Sequence, residues 1–317
     1  MGKEAVNVYI VIPCYNEEAV LEETCRQLLG VFDSMKQQTL INDQSRIVFV
    51  DDGSRDKTWQ MIAGLSEQHA EVSGIKLAKN AGHQNALFAG LMTVKDECDC
   101  AISIDADLQD DIHVIPEFIR KFQDGNDVVY GVRSKRDTDT FFKRNTALAF
   151  YKLMRLMGVN MVYNHADYRL MSARALAALA EFPEVNLFLR GMVPLIGYQT
   201  AEVTYERNER FAGESKYPLK KMLSFAFDGI TSFSVTPIRM ITAVGAIVSF
   251  LAVLAAVYVL VSKFFGSTSS GWSSLMVSIW FLGGVQLLSV GLIGEYIGKI
   301  YKEVKRRPRF IIEKYQK

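Results

Sequence analysis

The chain has 317 residues, is almost neutral at +1, and is 49% apolar and 22% charged. That length admits one large domain or two medium ones, and the lack of a basic surplus argues against nucleic acid as the main partner. Of the four cysteines (Cys14, Cys25, Cys98, Cys100), only Cys98 and Cys100 lie close in sequence. Their spacing is wrong for a zinc knuckle, so they read as reduced structural thiols of a cytosolic domain.

The opening residues MGKEAVNVYIVIP carry no long apolar run or cleavage site, so 8–12 is expected to be a core strand and not part of a secretory signal. From there to about residue 205, short β-branched runs alternate with helical stretches. The predicted strands are VYIVI (8–12), RIVFV (46–50), GIKLA (74–78), CAISI (100–104) and DVVYG (127–131), with helices over 18–35, 57–68, 85–94 and 112–123 between them. Short apolar runs separated by helices indicate a parallel sheet covered on both faces. Ligands of such sheets bind beyond the carboxyl ends of the strands. Two acidic segments stand at such ends: VDDGS (50–54) and SIDADLQDD (103–111).

The last third changes character. Residues 240–262 and 275–294 carry no charge, and about 23 helical residues reach about 35 Å, enough for a bilayer core. The alternative is two buried core helices. Basic residues crowd the far ends: Lys216, Lys220, Lys221 and Arg239 before, then Lys299, Lys302, Lys305, Arg306, Arg307 and Arg309 after. The positive-inside rule places both ends in the cytoplasm and the polar linker 266–274 outside. Gly291, Gly294 and Gly298 lie near one helix face, suited to close packing between subunits of a homo-oligomer such as a tetramer. The stretch 216–237 mixes Lys with Phe, Leu and Met, as an interfacial helix does. For 141–158, of similar character, an ordinary core helix is an equal alternative. The expected domains are a cytoplasmic catalytic domain (1–210), an interfacial segment (211–237), two spans (238–298) and a cytoplasmic basic tail (299–317).

Asp105 and Asp107 follow the predicted strand CAISI, and residues two apart on a strand point the same way. Two carboxylates held together favour a shared proton or a divalent cation. Mg²⁺ and Mn²⁺ take one or two carboxylates, waters and substrate phosphate oxygens. Gln109 adds a neutral oxygen nearby, and Asp110 and Asp111 are expected to open the next helix.

VIPCYNEE (11–18), VDDGSRDKT (50–58), KNAGHQNAL (79–87) and DADLQ (105–109) occur in that order. This series resembles the family 2 glycosyltransferases of GT-A fold. ADYRLMS (166–172) and RFAGESKYPLKK (210–221), followed by two spans, resemble the polyprenyl-phosphate sugar synthases, which include dolichyl-phosphate mannose synthases and bactoprenol glucosyltransferases. The resemblance implies a GT-A nucleotide-diphospho-sugar transferase fold with a mainly parallel sheet. It implies a nucleotide pocket of Pro13, Tyr15 and Glu17, with Val50 and Asp52 on base and ribose and Asn80 and Gly82 in a nearby loop. For Asp51, turn formation is an equal alternative. Asp105, Asp107 and Gln109 would hold the metal bridging the donor diphosphate, with Asp105, Ala106 and Asp107 on the donor itself, and Arg133 would meet a donor phosphate. His83, with no second His nearby, is not expected to be a ligand.

Asp167 matches the carboxylate placed near the acceptor and often called the catalytic base. A phosphate monoester has a second pKa of about 6 and is mostly ionised at pH 7, so Asp167 is expected to orient the acceptor or stabilise charge on the sugar. An ion pair with Arg169 is the alternative. Arg207, Arg210, Ser215 and Lys216 would hold the lipid phosphate, since guanidinium forks suit phosphate oxygens; plain polybasic membrane contact is the alternative there.

The function implied is inverting sugar transfer, with Mg²⁺ or Mn²⁺, from a nucleotide sugar to polyprenyl (undecaprenyl) phosphate at the bacterial inner membrane. UDP-glucose is the leading donor; GDP-mannose, UDP-GlcNAc and an aminoarabinose donor stay open. A processive polysaccharide synthase would want a QxxRW-like stretch and more spans. A dehydrogenase would want GxGxxG where PCYNEE stands. A non-catalytic membrane scaffold has no need of an intact DADLQ and Asp167.

Overall fold

Strand β1 (Val8–Cys14) is buried along all seven residues, as expected of a strand flanked on both edges and covered on both faces. In the computed structural model, which describes residues 4–134, 165–206, 231, 234–264 and 271–317, β1 pairs in parallel with β2 (Arg46–Asp51) and β4 (Cys100–Ser103). The other strands are β3 (Val72–Leu77), β5 (Val128–Arg133), β6 (His165–Ser172), β7 (Thr200–Tyr205) and β8 (Ile312–Gln316). They form one sheet in the order β7-β5-β6-β4-β1-β2-β3-β8. It is mainly parallel, with β6 antiparallel to both its neighbours and β8 antiparallel to β3.

The chain runs outward from β1 through β2 to β3, then returns to place β4 on the other side of β1. Connections that diverge from neighbouring strands leave a crevice at their carboxyl ends. Here the crevice is bordered by the segments following β1, β2 and β4.

Helix α1 (Leu21–Gln37) buries Leu21, Thr24, Cys25, Leu28, Val31, Phe32 and Met35 at helical spacing. Burying a side chain such as Leu28 or Phe32 stabilises the fold by about 1.5–3 kcal/mol. Helices α2 (Thr58–Gln68), α3 (His83–Val94) and α4 (Ile115–Gln123) complete the layers around the parallel part. Helix α5 (Ala173–Ala180) follows β6, and α6 (Leu189–Met192) is a single turn. Gly90 lets α3 approach the sheet: a Cβ there would stand 2.4 Å from Val11 Cγ1 and 2.7 Å from Val50 Cγ2.

The expected strands are present within a few residues, with three additions. β6 is central yet carries His165, Asp167 and Arg169, which hide it from a hydropathy reading. β7 and β8 are edge strands whose solvent faces are polar or charged. β4 ends at Ser103, so Asp105 and Asp107 stand on a turn, where Leu108 has φ 54°, and not on a continuing strand. Strand periodicity is therefore not what gathers them.

The described residues form two compact units. One holds the sheet and its helices. The other holds α7 (Thr236–Phe264) and α8 (Trp272–Val304), which extend beyond the apolar runs 240–262 and 275–294. Among the described residues one stretch, Phe281–Val304, is long and apolar enough to cross a membrane, and none of its defining window is buried. Large apolar side chains such as Leu287, Leu288 and Val290 are open along it. Within this unit, Tyr296 donates to the Ser234 carbonyl and Lys299 to Thr231 Oγ1, each at 2.5 Å.

The basic tail expected over 299–317 has more structure than that description implies. α8 runs on to Val304, and Ile312–Gln316 returns as β8 on the edge of β3. Arg309 lies over the ring of Phe88 and donates to the Phe182 carbonyl. The 141–158 stretch, most of 211–237 and linker residues 266–270 lie outside the described residues.

Candidate active site

The two loops after β1 and β2 are tied into one piece. Asn16, at φ 56°, donates its N–H to Ser54 Oγ (3.0 Å) and accepts from the Arg55 N–H (2.9 Å). The Glu17 N–H donates to Thr58 Oγ1 (2.9 Å), and Glu18 accepts from the Lys57 N–H (3.0 Å). Pro13 is buried, Glu17 is half-buried, and Tyr15 is 42% exposed at the crevice end of β1. An exposed ring held on a braced loop offers a face for a planar ligand.

Asp51 and Asp52 divide their work. Asp51 is fully buried and accepts from the Ser54 N–H at 3.1 Å, the turn-forming alternative in DDGS. Asp52 accepts from the N–H groups of Ala81 (2.6 Å) and Gly82 (2.9 Å). Burial pushes both carboxyls up, opposed at Asp52 by those two backbone hydrogen bonds. Asp52 thus braces the loop carrying Asn80, which is exposed, and Gly82, at φ 91°. Gly53, at φ 66°, makes the loop contact feasible, since a Cβ there would lie 2.6 Å from Asn80 N. The Val50 side chain is fully buried beneath Gly90.

The acidic turn is fixed from below by Thr24, whose Oγ1 donates to the Ala106 carbonyl at 2.8 Å. Asp107 Oδ1 accepts from the Gln109 N–H (3.2 Å). The Asp105 side chain is 38% exposed, and His83 Nε2 lies 3.5 Å from its Oδ1. Partial desolvation, with Asp167, Asp110 and Asp107 close by, pushes Asp105 up to about 6 against the opposing influence of His83. His83, set aside on sequence grounds, stands between Asp105 and Asp167, 3.9 Å from the latter's Oδ2.

Asp110 differs from expectation. It is buried and accepts from Tyr205 Oη (2.6 Å) and Arg133 Nη2 (3.1 Å), while Arg133 Nε donates to Tyr205 Oη at 3.3 Å. A network reaching β5 and β7 wins over helix opening. Asp111 does cap the following turn, accepting from the His113 N–H at 2.9 Å.

Asp167 is buried among donors. It accepts from Gln84 Nε2 (3.3 Å), Arg190 Nε (3.3 Å) and Arg190 Nη2 (3.1 Å), and from Arg169 Nη2. Burial alone would raise its pKa; Arg190 and Arg169 overcome that and hold it well below the usual carboxylate range. The Arg169 pair is the alternative the sequence offered. Arg190 is new. It sits on a four-residue helical turn in FLRGM, without periodicity or a motif to mark it. Arg207, Arg210, Ser215 and Lys216 lie outside the described residues.

Among the described residues no three His, Cys, Asp or Glu side chains converge as a metal cage. What the turn offers suits a hard divalent cation that is completed by a ligand's phosphate oxygens: two partly exposed carboxylates, one with raised proton affinity, and the oxygen of Gln109.

A sheet crevice of this kind, with an acidic turn after β4, defines a nucleotide-sugar-transferase class of site. Residues 9–179 match glycosyl transferase family 2, and 236–300 match the GtrB C-terminal hairpin. The chain belongs to glycosyl transferase family 2 and is a transferase enzyme with a GT-A-like fold. The hairpin match and the exposed apolar helix associate it with a membrane. It is 58% identical to an uncharacterised glycosyltransferase, YkoT, of Bacillus subtilis, over 96% of this chain and 90% of that one. It is 41% identical to the SfII prophage-derived bactoprenol glucosyl transferase of Shigella flexneri, over 98% of both chains. Among solved structures, a mannosyl-3-phosphoglycerate synthase from Rubrobacter xylanophilus gives a TM-score of 0.48 at 16% identity, over 76% of this chain and 75% of that one.

Proposed function

We propose that the protein transfers glucose from UDP-glucose to polyprenyl (undecaprenyl) phosphate, with inversion, giving a β-linked polyprenyl-phosphate sugar. The observation that carries this is the state of Asp167. A hydroxyl acceptor needs a base with usable proton affinity, and the two guanidiniums that clasp Asp167, those of Arg169 and Arg190, lower the affinity of this carboxylate for a proton. A phosphate monoester, with a second pKa of about 6, arrives already ionised. The site suits a phosphate acceptor, and the bactoprenol glucosyl transferase relative supplies the lipid and the sugar.

An acceptor phosphate oxygen forms the bond to the anomeric carbon as the bond to the nucleoside diphosphate breaks on the opposite face. Mg²⁺ or Mn²⁺ held by Asp105, Asp107 and Gln109 would neutralise charge on the departing diphosphate. Tyr15 and Glu17, beside Pro13, would meet the nucleotide, with Asp52 holding the Asn80–Gly82 loop against it. Arg133 would face the donor phosphates from its tie to Asp110. Arg207, Arg210, Ser215 and Lys216 would hold the lipid phosphate at headgroup depth. We place the catalytic domain in the cytoplasm of a bacterium, with α7 and α8 both spanning the inner membrane and Gly291, Gly294 and Gly298 packing subunits of a homo-oligomer.

The test is product formation by the purified full-length enzyme, with undecaprenyl phosphate and a panel of UDP-glucose, GDP-mannose, UDP-GlcNAc and an aminoarabinose nucleotide. Glucolipid from UDP-glucose is expected. No lipid-linked product from any donor would overturn the reading.

A further inference from the structure

Leu189 immediately precedes Arg190, and both of its backbone polar groups are held by side chains from distant elements. Its N–H donates to Gln84 Oε1 at 3.0 Å, and its carbonyl accepts from Arg169 Nη1 at 3.2 Å. The same two side chains hold Asp167, Gln84 through Nε2 and Arg169 through Nη2. Asp167 in turn grips Arg190 at Nε and Nη2. Arg190 is therefore fixed at both ends: its backbone through Leu189, its guanidinium through Asp167.

Charge points the same way. One carboxylate shared by two guanidiniums leaves the Asp167–Arg169–Arg190 trio itself with one positive charge, faced by Asp105 on the acidic turn. Arg169 is 2% exposed, whereas the Arg190 side chain is 32% exposed, so that charge reaches the crevice through Arg190. Its third nitrogen, Nη1, has no hydrogen-bond partner among the described residues. Asp105 and Arg133 both lie within electrostatic reach, which sets Arg190 beside the acidic turn. Such an arrangement weakens a proton acceptor and strengthens an anion receptor. Donor groups fixed before the ligand arrives cost little reorganisation, and a guanidinium fork matches phosphate oxygens.

We infer that Arg190 is a phosphate-binding residue of the transfer site and that Asp167 is the residue that positions it. The assignment rests on the sugar-transfer reading, in which two phosphate-bearing partners meet here: the donor diphosphate and the lipid phosphate. Gln84 and Arg169 are the outer braces of the same device.

The experiment compares the full-length wild-type enzyme with Arg190→Gln and Arg190→Lys, measuring apparent affinities for UDP-glucose with Mg²⁺ and for undecaprenyl phosphate, together with turnover. Arg190→Gln is expected to weaken one phosphate-bearing partner about 10- to 100-fold, with Arg190→Lys intermediate. Loss confined to the lipid assigns its phosphate to Arg190; loss confined to UDP-glucose assigns the diphosphate. Methylguanidine should restore part of the activity of Arg190→Gly, which also serves as the decisive variant if Arg190→Gln misfolds. Unchanged affinities with no methylguanidine rescue would overturn the assignment, whatever happens to turnover. A wild-type enzyme that transfers no sugar sinks the proposed function, yet Arg190-dependent binding of either phosphate partner would still support this role.

Discussion

The Thr24 hydroxyl lies 2.8 Å from the carbonyl of Ala106, across 82 residues of sequence, with Thr24 and Ala106 both buried. It also lies 2.9 Å from the carbonyl of Val20 at the start of its own helix, so its one hydrogen is shared between them. Ala106 lies between Asp105 and Asp107, so the helix packed beneath the sheet end fixes the height of the acidic turn. Thr24→Val keeps the shape of the side chain and removes the donor. A buried carbonyl left without its partner costs about 1–3 kcal/mol. Thermal melts should therefore fall, and the divalent-metal concentration for half-maximal turnover should rise as the turn loosens. Unchanged values for both would show that α1 does not hold the turn.

Removal of metal should abolish turnover. If Asp105, Asp107 and the donor diphosphate share one cation, EDTA stops the reaction and added Mg²⁺ or Mn²⁺ restores it. Asp107→Ala should leave the protein folded and membrane-bound but inactive. Full activity of that variant would remove Asp107 from the metal site.

What could be read from the sequence divides along physical lines. Asp105 and Asp107 were legible because they follow a buried apolar run and stand in series with three other loop motifs. Asp110 was not, because its partners are Tyr205 and Arg133, brought together only by the β5–β7 pairing. Val50 is adjacent to the functional loop in sequence, but strand alternation and the approach of α3 turn its side chain into the core. Arg190 left no trace because one helical turn has no periodicity. Strand β8 is hidden in the sequence because Glu313 and Lys314 give an edge strand the composition of a tail; Lys76 of β3 meets Glu313 at 3.0 Å.

The topology can be read out with a single thiol. All four native cysteines are buried, so an impermeant maleimide should leave the wild-type protein unlabelled on intact cells. With both ends cytoplasmic, Ser270→Cys should be labelled from outside. Labelling that appears only after lysis would place the linker inside and reverse or remove the two-span hairpin.

The last prediction separates a base from a positioning carboxylate at Asp167. Its pKa is depressed by Arg190 and Arg169 against the effect of burial. The sign is then fixed: the carboxylate is ionised throughout the neutral range, its stabilising contribution is present there, and that contribution is lost only as pH falls through the folded-state pKa in acid. With its pKa lowered, Asp167 is expected to stay ionised between pH 6 and 8.5. The acceptor phosphate does ionise near the lower end of that window, at about pH 6. If Asp167 removed that proton, Asp167→Asn would be most defective near pH 6 and would recover as the dianion came to dominate. If Asp167 holds Arg190, the defect should stay nearly constant, because the guanidinium it positions remains charged at every pH tested. The measurement is the ratio of wild-type to Asp167→Asn turnover from pH 6 to 8.5, with nucleotide sugar and lipid saturating. A flat ratio is expected; a ratio collapsing toward one at high pH would restore Asp167 as the base.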